Sequence, residues 1–332
     1  MIPLSSLFLL IALPCSLYSA EEANTPHCPL RPTVIPQDKG ESMRILILTA
    51  DYQSFLKWFY IRNPGLDQAS YSVQHRARVD SLFGVADFYS RNFAAFGHQA
   101  ADIFTNNLWM QSAWGREHGM TVPQTKSPGE MALADSNEFV MTLKRKLRPY
   151  KTILSPLAKR LGLIPSVNPI ERRILLAQIA DMDPDIILNQ VPEIVGSDIM
   201  HAVKRPGRVL IVQHGNQPPD NLDVTPYTFG ISLIPWVVAF FRERGLPAEQ
   251  CHLAFDASVL EQLGPPPAKD IEVSFVGGLS AGHGKRIELL EAIAREFPIQ
   301  LWLSSFKGIP KSSPLHARMR GEVWAHDMYN VL

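Results

Sequence analysis

Arg44-Ile45-Leu46-Ile47-Leu48-Thr49-Ala50, closed by Asp51-Tyr52-Gln53, is the stretch that decides the fold class. Its apolar run is nearly continuous and rich in Ile and Leu, the pattern of a parallel strand covered on both faces. The polar triplet after it marks a strand's carboxyl end, where open α/β sheets hold their ligands.

Outward from this strand the same alternation repeats. Val79, Leu82, Phe83, Ala86, Tyr89, Phe93 and Phe96 fall at three- and four-residue spacing, which predicts one amphipathic helix from Gln74 to Phe96, ended by Gly97. Ala101 to Thr105 reads as a second strand, and Asn106 to His118 as a helix capped by Asn106 and stopped by Gly119. Residues 120–150, interrupted by Pro123, Pro128 and Gly129, read as an insertion. Ile170, Ile174, Leu175 and Ile179 stripe a further helix that Asp183-Pro184 breaks. Strands are expected from Asp185 to Gln190 and from Arg208 to Gln213, with a helix over 193–204 and a Pro206-Gly207 turn between them. Strand and helix in alternation predict a doubly wound parallel sheet.

Gly264-Pro265-Pro266-Pro267 reads as a linker, because consecutive prolines neither extend a helix nor donate to a ladder. Beyond it a second α/β unit begins: strand Glu272 to Val276, a glycine-rich turn, a helix from about Lys285 to Glu296 and a strand from Ile299 to Ser304. The expected organisation is a leader over 1–42, a Rossmann-like domain over 43–263, a linker over 264–270 and a partial Rossmann-like domain over 271–332. The last is short against the ~100–150 residues typical of a domain. The expectation is therefore an incomplete second domain.

Composition bounds the function. The 332 residues carry 32 basic and 32 acidic side chains without a basic block, so nothing in the charge points to nucleic acid or an anionic membrane as a partner. Cys15, Cys28 and Cys251 are far apart, with neither disulfide-framework nor zinc spacing, and read as thiols of a reducing compartment. Ile2 to Ala20 is apolar but short for a membrane span, and it lacks the basic residues that precede a signal peptide's core. The expected location is cytoplasmic, with Met43 as the true start; export is the alternative if residues 1–20 are a genuine signal.

Phe275-Val276-Gly277-Gly278-Leu279-Ser280-Ala281-Gly282-His283-Gly284-Lys285-Arg286 is the strongest local motif. A glycine-rich turn opening a helix presents backbone N–H groups and the helix's positive end to a phosphate, and Lys285 and Arg286 would neutralise its charge. The spacing matches neither GxGxxG nor the P-loop, and a plain strand-to-helix turn with a solvated Lys-Arg pair accounts for it equally.

The order of segments resembles the CgeB-like branch of the group 1 glycosyltransferases. The matching stretches are Met43 to Tyr52, Phe83-Gly84-Val85-Ala86-Asp87-Phe88-Tyr89-Ser90 with Gly97, Trp109 to Trp114, Asp183-Pro184-Asp185, Phe275 to Gly278, His283 with Arg286, and Val323-Trp324-Ala325-His326-Asp327-Met328-Tyr329. The resemblance implies a GT-B fold of two facing Rossmann-like domains, a nucleotide-sugar donor as co-substrate, no metal and no other cofactor. Similar proteins continue past the Asp-Met-Tyr segment into a donor-binding stretch, so the resemblance also implies a chain truncated at its C-terminus. The donor would meet Gly277, Gly278, His283, Lys285 and Arg286. The acceptor, a glycan, protein or small molecule, would meet Tyr52, Gln190, Gln213 and Asn216, and His214 or Asp51 would serve as base. The rivals are a non-catalytic GT-B homologue or sugar/nucleotide-binding module, a sugar-nucleotide epimerase and, with an exported chain, a sugar-binding protein. Asp181-Met182-Asp183 is formally a metal-type Asp-x-Asp, but it precedes a strand and reads as a helix-end turn. The aromatic run Phe55 to Tyr60 and Trp302 and Trp324 read as packing residues with cleft-lining or base-stacking as the alternative.

Overall fold

The computed structural model describes residues 42–130, 169–252, 254–265, 269–306 and 309–332. The opening run forms strand β1 (Arg44–Thr49), at the heart of a six-stranded sheet. The other strands are β2 (Gln99–Phe104), β3 (Ile186–Asn189), β4 (Val209–Gln213), β5 (Phe229–Ser232) and β6 (Ala248–Gln250). All neighbours run parallel, in the order β2-β1-β3-β4-β5-β6. The continuous apolar pattern of β1 has the expected cause. Leu46 and Leu48 join one core with Ile187, Leu210 and Val212, while Ile45 and Ile47 join the opposite one with Ile186, Leu188 and Ile211. Each such side chain contributes about 1.5–3 kcal/mol by leaving water. The chain turns from β1 to β2 on one side and returns to β3 on the other, so the strand order reverses between β1 and β3. That reversal is the topological switch point of the sheet.

The chain divides into two compact units. The first takes in the described residues of Met1–Asp51, Gly65–Gln74 and Asp87–Phe255; the second is Tyr52–Pro64, His75–Ala86 and Asp256–Leu332. In the second, β7 (Ser274–Leu279), β8 (Gln300–Phe306) and β9 (Met319–Gly321) form a parallel three-stranded sheet. Leu279, Ile287, Leu290, Ala294, Leu301, Leu303 and Leu315 make its core. The molecule is thus α/β throughout, with two Rossmann-like parallel sheets. Residues 131–150 of the expected insertion, Pro266 and Pro267 of the linker, and the leader with Cys15 and Cys28 lie outside the described residues.

Several local expectations need correction. The single helix over 74–96 is two, α2 (Tyr71–Asp80) and α3 (Phe88–Ala95). Between them Leu82, Gly84 and Ala86 all have positive φ, at 58°, 61° and 41°, and no helix continues through left-handed backbone. Asn107, not Asn106, caps α4 (Leu108–Glu117), accepting from the Met110 N–H. The helix expected over 193–204 is only α6 (Ser197–Val203), which follows α5 (Pro169–Met182) and β3. Four further elements, β5, α7 (Pro235–Glu243), β6 and α8 (Ser258–Leu263), lie where the sequence reading expected none. Gly230 of β5 is required there: a Cβ would stand 2.7 Å from the Phe241 ring of α7.

Tyr52–Pro64 and His75–Ala86 were expected in the first domain and instead group with the second unit. Helix α1 (Gln53–Arg62) carries the aromatic run, and Phe55, Leu56, Phe59 and Tyr60 are buried, so packing explains them. Phe55 stacks on Phe83 at 3.9 Å, Trp324 meets Phe83 edge-on at 5.3 Å, and the Arg78 guanidinium lies 4.9 Å from the Phe55 ring centre. Trp324 is therefore a core residue. Arg62 bridges to Asp327 of α10 (Ala325–Asn330) at 2.7 Å.

Candidate functional site

The first sheet's carboxyl edge is built from the turns that leave its strands. After β1, Asp51 is 6% exposed, and its backbone is clamped by one side chain: its N–H donates to Asn106 Oδ1 at 2.9 Å and its carbonyl accepts from Asn106 Nδ2 at 2.7 Å. Asn106, expected as a helix cap, thus fixes the β1 turn to the β2 turn. After β3, Gln190 Nε2 donates to Gln213 Oε1 at 2.8 Å, and Gln213 Nε2 donates to the Tyr89 hydroxyl at 2.9 Å. The structure so brings Gln190 and Gln213 together, in an amide chain beside the switch point.

His214 follows β4. Its side chain is buried, 4% exposed as a residue, its N–H donates to Ile231 O at 3.1 Å and its carbonyl accepts from Ser232 Oγ at 2.6 Å. Its Nε2 lies 3.3 Å from Glu193 Oε1, within ion-pair reach but out of hydrogen-bond alignment, and has no hydrogen bond among the described residues. A buried, unbonded ring nitrogen is costly, by about 1–3 kcal/mol. Glu193, whose side chain is 41% exposed, is the residue that sequence reasoning missed. It comes from the loop after β3, and Asn189 positions that loop. The fully buried Asn189 amide donates to Val195 O at 2.9 Å and to the Tyr227 hydroxyl at 2.8 Å, and accepts from Val191 N at 3.0 Å. Burial raises the Tyr227 phenol pKa, so this support stays neutral. Asn216 lies exposed in the following loop.

Tyr52 is not among these residues. It belongs to the second unit, where its ring meets Phe83 at 6.0 Å and Trp324 at 6.1 Å.

In the second unit the glycine motif differs from its expected form. Gly277 and Gly278 lie within β7, paired with Leu303 and Ser305 across a register shift, so the turn starts only at Ser280. Both positions are crowded: a Cβ on Gly277 would stand 3.3 Å from the Phe275 ring, and one on Gly278 3.3 Å from Ser304 Oγ. Both glycines therefore lie in the strand, ahead of the turn. A 3₁₀ turn (Ala281–His283) then leads into α9 (Gly284–Glu296). His283 Nδ1 accepts from the Ser280 N–H at 3.2 Å, and Ser280 and His283 cap one another. With Nδ1 accepting, the ring proton is on Nε2, which is left as a donor. Lys285 and Arg286 are exposed in the first turn of α9.

No protein-family model and no curated protein matches the chain. Solved structures do. SnogD, a glycosyltransferase from Streptomyces nogalater, is 14% identical, over 86% of this chain and 72% of its own, with a TM-score of 0.29. The calicheamicin glycosyltransferase CalG4 is 12% identical, over 88% of this chain and 73% of its own, with a TM-score of 0.30. The glycosyltransferase VinC, solved in complex with DTDP, is 14% identical, over 83% of this chain and 73% of its own, with a TM-score of 0.27. Likeness at that level leaves function to be argued from the chain's own residues.

The opposite, amino edge of the first sheet holds Asp183 of the Asp-x-Asp. Arg205 reaches it at 3.0 Å, Arg208 at 2.7 Å and Arg44 at 3.3 Å, while Arg44 also bridges Asp185 at 3.0 Å. The carboxylate ties together the entrances of β1, β3 and β4, which is a structural role. Among the described residues no helix is long and apolar enough to cross a membrane.

Proposed function

We propose that the chain is a glycosyltransferase that moves a sugar from a nucleotide-sugar donor to an acceptor hydroxyl. The observation that carries this reading is the gathering of Asp51, Gln190, Gln213, His214 and Glu193 on the carboxyl edge of the first sheet, around its switch point, where sheets of this topology bind ligands. A second α/β unit with exposed cations at a helix's amino end supports it, as does the resemblance of the sequence to group 1 glycosyltransferases.

In this reading the amide pair Gln190–Gln213 orients the acceptor, and the Glu193–His214 pair takes its proton. Glu193 reaches solvent, and the buried His214 ring lies beside its carboxylate, Nε2 3.3 Å from Oε1. The acceptor oxygen forms a bond to the sugar's anomeric carbon as the bond from that carbon to the donor's phosphate oxygen breaks. The proton passes to Glu193–His214, and the negative charge leaves with the nucleoside diphosphate. Within the second unit, Lys285, Arg286 and the amino end of α9 are the groups suited to a diphosphate, with His283 Nε2–H as a further donor. Asp51, the other candidate base, lies on the same edge with its backbone held by Asn106.

The test is calorimetric titration of the full chain with uridine and thymidine diphosphates, and with UDP- and TDP-hexoses. Binding lost in Lys285→Ala/Arg286→Ala supports the reading. No binding of any nucleotide, or equal binding by the double variant, overturns it.

A further inference from the structure

The turn that follows β5 adds an apolar wall to the same corner of the sheet. Leu233 and Trp236 stay 38% and 48% exposed, although both neighbour the buried core of α7, where Val237, Val238 and Phe241 are packed away. Leu233 lies against the His214–Gly215 turn, its Cδ2 3.8 Å from where a Gly215 Cβ would stand. The corner is held rigidly: Ser232 Oγ donates to His214 O at 2.6 Å and accepts from Ile234 N at 3.0 Å, and Pro235 opens α7. Trp236 is in the first turn of α7, three residues beyond Leu233. The polar counterpart is the buried His214 Nε2, without a hydrogen bond among the described residues, and Glu193 beside it. Beside His214, the carboxylates placed on this edge are Glu193 and Asp51, and the amide chain Gln190–Gln213 is uncharged.

We infer that the acceptor of this edge is a hydroxylated ring compound with an apolar face: the ring lies against Trp236 and Leu233 while one hydroxyl reaches Glu193–His214. The inference rests on the glycosyltransferase reading and narrows its acceptor. An uncharged amide chain suits a neutral ligand, and a half-exposed indole held on a rigid turn gives contact area at low entropic cost. A fully polar polyol leaves the indole uncovered, and an anionic acceptor places its charge against Glu193.

The probe is 4-methylumbelliferone, a planar aromatic ring with one hydroxyl, titrated calorimetrically into the full chain, with glucose for comparison. Wild type is expected to bind 4-methylumbelliferone more tightly than glucose. Trp236→Ala is expected to weaken the aromatic probe about tenfold and Trp236→Phe to restore most of it, since stacking is worth up to about a tenfold change. Thermal unfolding of both variants separates lost contact from lost fold. Equal binding by a folded Trp236→Ala chain, or glucose bound as tightly as the aromatic, overturns the inference. The nucleoside diphosphate titration keeps the two claims apart: diphosphate binding without 4-methylumbelliferone binding removes this acceptor class alone. Absence of diphosphate binding removes the parent reading.

Discussion

The two edges of the six-stranded sheet face the same chemistry with opposite solutions. At the amino edge Asp183 and Asp185 are neutralised by Arg44, Arg205 and Arg208, with Arg205 Nε left without a hydrogen bond among the described residues. At the carboxyl edge His214 is buried with Nε2 unbonded among the described residues, Glu193 stands half in solvent, and Leu233 and Trp236 stay part-exposed. One edge pairs its charges. The other keeps polar and apolar groups in reserve, and such local inconsistency is what a binding site costs a fold. Substitutions at the amino edge should therefore change stability, and those at the carboxyl edge activity.

The largest expected effect is catalytic. His214→Asn should lower transfer by about 10²–10⁴-fold, the range of a lost acid–base group, while its thermal midpoint moves little. Nucleoside diphosphate release from a nucleotide-sugar, measured beside thermal unfolding, checks both halves.

Much of this contrast was legible in the sequence. β1, β3 and β4 announced themselves by continuous aliphatic runs, and parallel order followed from the intervening helices, so Asp51, Gln190, Gln213 and His214 could be set on one edge without coordinates. Three-dimensional pairing was not legible. Glu193 carries no motif, and only the Asn189 loop brings it to His214. Gly277-Gly278 looked like a turn because glycine usually punctuates, whereas here it relieves crowding inside β7. Tyr52 follows β1 directly in sequence, but its ring meets Phe83 and the sequence-distant Trp324, contacts that its position after a strand does not announce.

Smaller effects sharpen the comparison. Gly230→Ala, in the middle of the sheet and away from either edge, drives a methyl into Phe241 and should destabilise by about 1–3 kcal/mol, read as a shifted denaturant midpoint with unchanged m-value. At the amino edge Asp185→Asn should cost about 1–2 kcal/mol through the lost Arg44 bonds, with turnover unchanged. The pH dependence has a definite sign. The hydrogen bond from Arg44, opposed by burial, lowers the Asp185 pKa; at Asp183 burial pushes upward, but Arg205, Arg44 and Arg208 prevail and its pKa is lowered too. A depressed carboxylate pKa contributes stability that is present above the unfolded value of about 4 and is lost as pH falls through the folded value. Thermal midpoints should accordingly fall below about pH 4, and less steeply in Asp185→Asn than in wild type. The smallest effect belongs to the amide chain: Gln190→Ala and Gln213→Ala should each weaken acceptor binding by about 1 kcal/mol, and the double variant by less than the sum, because the two share one hydrogen bond.

The most direct measurement is nucleoside diphosphate release from UDP- and TDP-hexoses by the wild-type chain, His214→Asn and Asp185→Asn, each with its thermal midpoint. Release by wild type and Asp185→Asn but not by His214→Asn, with only Asp185→Asn less stable, is the predicted result. Equal release by His214→Asn, or none from any donor by the folded wild-type chain, would contradict it.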